Sequence, residues 1–444
     1  MRHRYTIILW AICVLFVLSN NVTVHAETFE SVMVEAPKGL GDVRQNKREP
    51  DGQALKIVSE RLDPQLQPVA VRWRGLEIYP LMKVTEKYDN NIFATENNTE
   101  SDFITIVNPS LLVRKDVGRH NFGFLVEGDY NKYASNSDED TLNFRTRLNG
   151  SLEMRHDISF PFEVSYNLGH EKRGQNLLTN FSKDPIRFKT FASAFGISYN
   201  PNRLGLSLIG RYNTISFDDG ENRFGQAVVR QDADRSLTEI EARASYDILP
   251  NHQPFVSVSV TDTDYKRGDF QSGSFSGPER DSKNIGFLGG WEFAYKGLVE
   301  GYLGVGYGSR NYKSNQIDDV SSSRVAGNIS WNLGKKATLN LALRREIAED
   351  NQVLAAAVLS QGRIKLDYEF LHNLFFDAFV DKALADFQES SREDEIFSIG
   401  TGLRYVINPR YSVSGHYDFK ARESSVQGLD FDRHQLMVRL NARL

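Results

Sequence analysis

Long runs in which apolar and polar residues alternate one by one constrain this chain more than any other feature. Between residues 142 and 154 the even positions are mostly apolar, whereas the odd positions include Arg145, Arg147 and Glu153. Side chains on a strand alternate between two faces, so such a run has one apolar and one charged face. The runs are about 10 to 14 residues long, enough for a tilted strand to cross a bilayer. Ordinary strands have about 5 or 6 residues.

The connections between these runs alternate between short turns and long polar loops. Short turns of Gly, Pro and Asn composition fall near 117–119, 156–157, 200–202, 249–251, 296–297, 334–335, 372–373 and 408–409. Longer loops lie between them, several of them acidic, as at Asp138-Glu139-Asp140. Short turns on one rim and long loops on the other are typical of outer-membrane barrels.

These patterns predict an all-β fold: a closed antiparallel transmembrane β-barrel of about 18 strands over residues 76–444. The short turns are expected on the periplasmic side and the long loops on the extracellular side. An even number of strands places both ends of the barrel on the periplasmic side. Aromatic residues near both rims predict two interfacial belts.

The N-terminus has the composition of a secretory signal. Arg2 and Arg4 precede an apolar run over 5–18, and the segment ends at Ala26, which predicts a signal peptide over residues 1–26. A membrane anchor is the alternative, and it needs a longer apolar run. Cys13 is the only cysteine, so the exported chain is expected to lack disulfides, cysteine–zinc sites and cysteine nucleophiles.

Residues 27–75 form a polar extension with no sustained period and with four prolines, at 37, 50, 64 and 68. Such a segment offers little apolar surface for a core of its own. Two interpretations remain open. The segment is a periplasmic tether, or it folds back into the barrel as a plug.

The start of the barrel region resembles a family of outer-membrane β-barrel porins often encoded beside exopolysaccharide or capsule genes. The resemblance lies in an Arg-rich run before the first strand and in a Tyr-Asp-Asn-Asn-Ile stretch at its end. The residues concerned are Arg72, Arg74, Gly75, Asp89, Asn90, Asn91 and Ile92. The chain departs from a common outer-membrane pattern in ending on Leu444 instead of Phe.

The resemblance implies an outer-membrane location and a role in polysaccharide export. It implies as partners outer-membrane lipid and lipopolysaccharide, the outer-membrane assembly machinery, exopolysaccharide and periplasmic export components. The net charge of -5 argues against nucleic acid as a partner. No motif for a cofactor or a metal is recognised, and we predict neither.

The polar phase of the strands supplies candidates for the lining of a pore. They are Arg145, Arg147, Arg155, Glu163, Arg211, Glu239, Glu241, Arg243, Arg363, Lys365, Asp367, Glu369, Arg404 and Arg439. Both signs of charge occur, so no strong field of one sign is expected. These side chains could guide a solute, or they could form cross-strand ion pairs that stabilise the wall. The arginines at 145, 147 and 155 could also attract an acidic polymer.

Three functions follow from this barrel. The first is a channel that supports export of an exopolysaccharide or capsular polysaccharide. The second is a structural or surface-binding barrel with a closed lumen. The third and weakest is an outer-membrane hydrolase, because His156, His252 and His372 lie at short turns and outside any recognisable nucleophile motif. We therefore predict that the chain is not an enzyme.

Overall fold

Eighteen long strands form one closed antiparallel sheet in the computed structural model, which describes residues 58, 66–174, 182–266, 279–349, 356–388 and 390–443. The predicted signal peptide lies outside the described residues. Numbered in chain order, the strands are β1 (Leu76–Asp89), β2 (Asp102–Val117), β3 (His120–Tyr133), β4 (Thr141–Arg155), β5 (Ile158–His170), β6 (Arg187–Tyr199), β7 (Leu204–Phe217), β8 (Arg235–Tyr246), β9 (His252–Tyr265), β10 (Ser282–Tyr295), β11 (Val299–Tyr312), β12 (Val320–Asn332), β13 (Ala337–Glu349), β14 (Ala356–Leu371), β15 (Leu374–Phe387), β16 (Glu393–Val406), β17 (Tyr411–Ser424) and β18 (Phe431–Arg443).

The barrel closes because the first strand pairs with the last. β1 and β18 run antiparallel, with Leu81 opposite Arg443 and Asp89 opposite Gln435. Every other long strand pairs with its two neighbours in the chain. Closure leaves no sheet edge with unpaired backbone groups, which a hydrocarbon environment requires. The predicted all-β barrel of about 18 strands is confirmed.

Short additional elements lie at the rims. Val71–Trp73 is a three-residue strand that pairs with the start of β1, and Gly220–Glu221 pairs with Ala227–Val228 in a loop. Single turns of 3-10 helix occur at Ser137–Glu139 and Gln231–Ala233. No helix in the described part of the chain is long and apolar enough to cross a membrane.

The two rims differ as the sequence predicts. Connections at one rim have two to five residues, and those at the other have five to seventeen. The outer face of the wall consists of apolar side chains that are exposed: Phe195, for example, is 60% exposed. Exposed aromatic side chains lie near both rims, among them Tyr199, Tyr246, Tyr295, Tyr405 and Tyr411 near the short turns and Tyr130, Tyr166, Phe191, Tyr212 and Tyr417 near the long loops. Such belts suit the two interfaces of a bilayer.

Candidate functional site in the barrel lumen

The strand register assigns the predicted lining residues to the inner face of the wall. Directly opposed residues on antiparallel neighbours point to the same side of a sheet. Residues on the inner face therefore form continuous rows around the barrel. The predicted residues in these rows are Arg145, Arg147, Glu163, Arg211, Glu239, Glu241, Arg243, Arg363, Lys365, Asp367, Glu369, Arg404 and Arg439.

Arg155 differs from the other predicted residues. It lies after a register shift between Glu153 and Arg155, next to the short turn that joins β4 to β5. Its guanidinium donates two hydrogen bonds of 3.0 Å to the buried carboxylate of Asp157. Arg155 therefore lies at the short-turn, periplasmic rim of the barrel, and its ion pair with Asp157 bridges the turn between β4 and β5.

Several predicted residues form ion pairs, either across neighbouring strands or along one strand. Arg211 on β7 binds both Glu239 and Glu241 on β8, the latter at 2.9 Å. Lys365 binds Asp367 on the same strand at 2.9 Å. Such pairs neutralise charge along the wall and hold the side chains close to the strands.

Two further pairs join inner-face residues. Arg147 lies 3.8 Å from the buried carboxylate of Glu163. Arg243 pairs with Glu292 on β10 and also stacks on Phe255, with 3.7 Å from its guanidinium carbon to the ring centroid. A guanidinium over an aromatic face gains a cation–π attraction.

Other inner-face cations rest on aromatic rings of β15. The guanidinium carbon of Arg363 lies 4.6 Å from the Phe379 ring centroid, and that of Arg404 lies 5.0 Å from the Phe375 centroid. Arg145 and Glu369, by contrast, remain at least partly exposed to the lumen. The polar wall therefore combines neutralised pairs with accessible charges.

Buried ion pairs join neighbouring loops at the extracellular end of the barrel, and the sequence analysis missed them. Arg173 donates to Glu139 (2.9 Å from Nε to Oε2), and Arg230 donates to Glu171 (2.6 and 3.1 Å). Arg230 is 0% exposed and Glu171 is 2% exposed. We call these four residues the outer ion-pair layer. They lie in loops, where strand alternation carries no information, so the sequence offered no signal for them.

The loop that follows β5 reaches across the extracellular mouth. The backbone oxygen of Gly174 accepts a 2.7 Å hydrogen bond from Nη1 of Arg422 on β17. Gly174 has φ +80°, and a β-carbon at this position would lie 2.5 Å from Cβ of Ala94. This glycine therefore permits the loop to pack against the first extracellular loop. The contact spans the mouth from β5 to β17.

The family-like motif shapes the loop after β1. The Asp89 carboxylate accepts a hydrogen bond from the backbone N–H of Asn91 (3.0 Å), and Asn91 Nδ2 donates to the backbone oxygens of Thr95 (2.8 Å) and Asp432 (2.9 Å). Asn91 is fully buried, and Ile92 is 4% exposed. These residues anchor the loop to β18.

The remaining motif residues lie at other positions. Asn90 accepts from the backbone N–H of His434 (2.6 Å), which also joins the loop to β18. Arg74 and Gly75, with φ 49° and 77°, form the turn between the short leading strand and β1. Arg72 forms an exposed ion pair with Glu77 at 3.1 Å. The contacts of all seven motif residues are structural.

A residue of the N-terminal extension lies inside the barrel at its short-turn end. Val58 is fully buried and packs with Phe375 and Val406, and its backbone N–H donates to Oγ1 of Thr338 (3.1 Å). The register places these three partners on the inner face. Leu66 packs against the same cluster.

One lysine links two extracellular loops. Lys313, which follows β11, donates to Asp264 (2.9 Å) and to Asp281 (3.1 Å). These hydrogen bonds raise the pKa of Lys313 above its usual value. Among the described residues, no group of three or more His, Cys, Asp or Glu side chains is arranged to hold a metal ion.

Three of the described histidines contact polar side chains on a neighbouring strand. His170 Nδ1 lies 2.8 Å from Oδ1 of Asn143, and His252 Nδ1 accepts from Nε1 of Trp291 at 3.3 Å. His434 contacts the hydroxyl of Tyr417 at 2.8 Å.

The comparisons with known proteins concern family and fold. The model of the family described as "Putative beta-barrel porin 2" matches residues 63–444. None of the curated proteins has a sequence that matches the chain.

Solved structures with a similar fold include Pseudomonas aeruginosa OccK2 (OpdF), with 11% identity, a TM-score of 0.44, and coverage of 83% of this chain and 98% of that chain. OccK2 in complex with glucuronate has 13% identity, a TM-score of 0.45, and coverage of 85% and 100%. A BenF-like porin from Pseudomonas fluorescens Pf-5 has 13% identity, a TM-score of 0.42, and coverage of 83% and 99%.

Proposed function

The chain belongs to the family described as Putative beta-barrel porin 2, and on this basis we propose that it is a channel for the export of an exopolysaccharide or capsular polysaccharide. In general terms, the chain is an outer-membrane β-barrel porin. Residence in the outer membrane implies contact of its apolar belt with membrane lipid and lipopolysaccharide. The polymer, the assembly machinery and the periplasmic export components are partners in this proposal.

The polar inner wall of an eighteen-stranded barrel carries the proposal. A barrel of this size is wide enough to enclose water. Side chains such as Arg145 and Glu369 keep access to the lumen, whereas paired residues such as Arg211 and Glu239 keep the wall free of a strong single-sign field. A hydrated polymer could pass such a wall by exchanging hydrogen bonds with water and polar side chains.

Single-channel recording and polymer export test the proposal together. Protein folded in detergent and added to a planar bilayer should give stepwise current. A deletion strain should lose surface polysaccharide, and the gene supplied in trans should restore it. The proposal would be refuted if the folded protein gave no stepwise current and the deletion strain kept its surface polysaccharide.

The second function, a structural or surface-binding barrel with a closed lumen, has its own supporting observations. The contact of Gly174 with Arg422 joins distant parts of one mouth, and Val58 lies in the other. A closed barrel would give no current in the intact chain and would still bind polysaccharide or cells through its loops. A hydrolase remains the third candidate, and no described contact favours it over a channel.

We also propose that residues 27–75 act as a plug at the periplasmic mouth. The supporting observation is the position of Val58, packed on inner-face residues of β15 and β16. A tether would leave this side chain in solvent.

A further inference from the structure

Four basic side chains lie on the inner face where the first and last strands meet. Lys83 is on β1, Arg439 and Arg443 are on β18, and Arg404 is on β16. All four are partly exposed. We call them the seam cluster.

The register brings the members of the seam cluster together. Arg404 is opposite Ser414, and Ser414 is opposite Arg439. Adjacent strands are about 4.8 Å apart, so the two arginine backbones are about 10 Å apart with a small serine between them. Arg439 Nε donates to Oγ1 of Thr85 at 3.0 Å, which fixes its direction. Arg439 therefore leans towards β1, whereas Arg404 leans towards Phe375 on β15, and the small Ser414 leaves the wall between them open.

Charges within the cluster act on one another. Arg404 lies within electrostatic range of Arg443, and Lys83 lies within range of both Arg439 and Arg443. In the described part of the chain, neither Lys83 nor Arg443 forms an ion pair or a side-chain hydrogen bond. Neighbouring like charges repel each other, and an anion placed among them relieves that repulsion.

Four carboxylates lie around the cluster, and pairing of Asp367 with Lys365 leaves three of them to offset four cations. Asp377 and Asp367 lie near Arg404, and Asp367 accepts from Lys365 at 2.9 Å. Glu127 and Asp129 lie near Lys83. Asp129 accepts from Asn108 at 2.6 Å, and the carboxyl group of Leu444 lies outside the described residues.

Part of the cluster also lies near the short-turn rim, where an exported polymer would enter. Arg404 is two residues before the end of β16 at the short-turn rim, and Arg443 is the last described residue of β18. Arginine binds carboxylates through paired N–H donors, and lysine adds a point charge. Neutral sugars could accept hydrogen bonds from these side chains but would gain no attraction between opposite charges.

We propose that the seam cluster binds the carboxylate groups of an acidic polysaccharide as it enters the barrel from the periplasm. This inference rests on the proposed export function and adds the substrate class, a polyanion.

Binding of short oligogalacturonate chains tests the inference, with neutral dextran oligomers of similar length as the comparison. Full-length barrel folded in detergent is titrated by calorimetry at low salt. The wild type should bind oligogalacturonate and not dextran, with affinity that falls as salt rises. The variant K83Q/R404Q/R439Q should bind about tenfold or more weakly. The single variants R404Q and R439Q should each bind oligogalacturonate about threefold more weakly. They test the inference even if the triple variant fails to fold.

Arg344→Gln is the matched control, because Arg344 is an inner-face arginine on β13 that pairs with Glu346. Its affinity should stay within about twofold of the wild type. Equal loss in R344Q, equal binding by both oligomers, or wild-type binding in the triple variant would overturn the inference. Because calorimetry needs no current or export, failure of the channel function gives a different result: intact binding without conductance.

Discussion

The outer ion-pair layer and the seam cluster use the same residue type in two environments. In the outer layer, Arg173 and Arg230 are buried in loops, and each donates to a carboxylate. In the seam cluster, Arg404 and Arg439 lie on strands, partly exposed and beside further cations. One region joins protein segments, and the other presents charge to the lumen.

The difference follows from the cost of desolvation. A guanidinium removed from water needs a carboxylate and good hydrogen bonds, or it destabilises the fold by several kcal/mol. A guanidinium in a water-filled lumen keeps much of its hydration, so like charges can be neighbours at low cost. Burial therefore separates structural arginines from those available to a solute.

Arg230→Met should have the largest effect, because it leaves Glu171 buried without its partner. We expect a loss of about 3 kcal/mol in the free energy of unfolding, measured with urea in lipid vesicles. R230M/E171L should recover most of the loss. Arg72→Met, at an arginine whose side chain is 80% exposed, should cost less than about 0.5 kcal/mol. Equal losses at both sites would remove the distinction between buried and exposed arginines.

Gly174→Ala should loosen the outer mouth. Its φ of +80° and the 2.5 Å approach to Ala94 both oppose a side chain. Gly225→Ala is the matched control, since φ there is +74° but nothing lies within 4 Å of a β-carbon. The extra cost at Gly174 should be about 1 kcal/mol, seen as about fivefold faster trypsin cleavage at Lys172 in intact cells. Equal cleavage in the two variants would contradict a packed mouth.

Val58→Asp should open the periplasmic end. A carboxylate is poorly tolerated against Phe375 and Val406, so the segment should leave the lumen. The mean single-channel conductance should rise by about twofold or more. Val69→Asp, at a residue that is 75% exposed, should leave it unchanged. An unchanged conductance in V58D would favour the tether.

Lys313→Met should have the smallest effect, about 0.5 kcal/mol of stability, because Lys313 is half-exposed. Its pKa is raised by hydrogen bonds to Asp264 and Asp281. The contribution is therefore complete below the unfolded lysine pKa of about 10.4 and disappears as pH rises through the higher folded value. The stability difference between wild type and K313M should persist at pH 7–9 and shrink at higher pH. A constant difference would exclude the lysine charge as its cause.

The sequence predicted the wall better than the interior. β4 alternates clearly because its outer side chains face an apolar environment and its inner ones face water. β15 alternates poorly because Phe375, Phe379 and Phe387 are on its inner face, where Val58, Arg363 and Arg392 cover them. An inward apolar residue needs a tertiary partner, and strand alternation does not identify that partner.

The candidate site was predictable in part for the same reason. Strand phase was enough to assign Arg211, Glu239 and Arg404 to one face. The register then decided which charges meet: Arg211 lies between two glutamates, whereas Arg404 lies near Arg443. That choice depends on strand stagger around the closed barrel, which local alternation does not encode.

The sequence of neighbouring residues by itself determined the strands, their two faces and the unequal rims, because apolar and polar residues alternate between adjacent positions. Tertiary structure alone decided that Gly174 contacts Arg422 at the extracellular mouth, that Val58 lies in the periplasmic one and that four cations meet at the seam. These contacts join segments hundreds of residues apart, and their energies depend on burial and distance, which exist only once the barrel has closed.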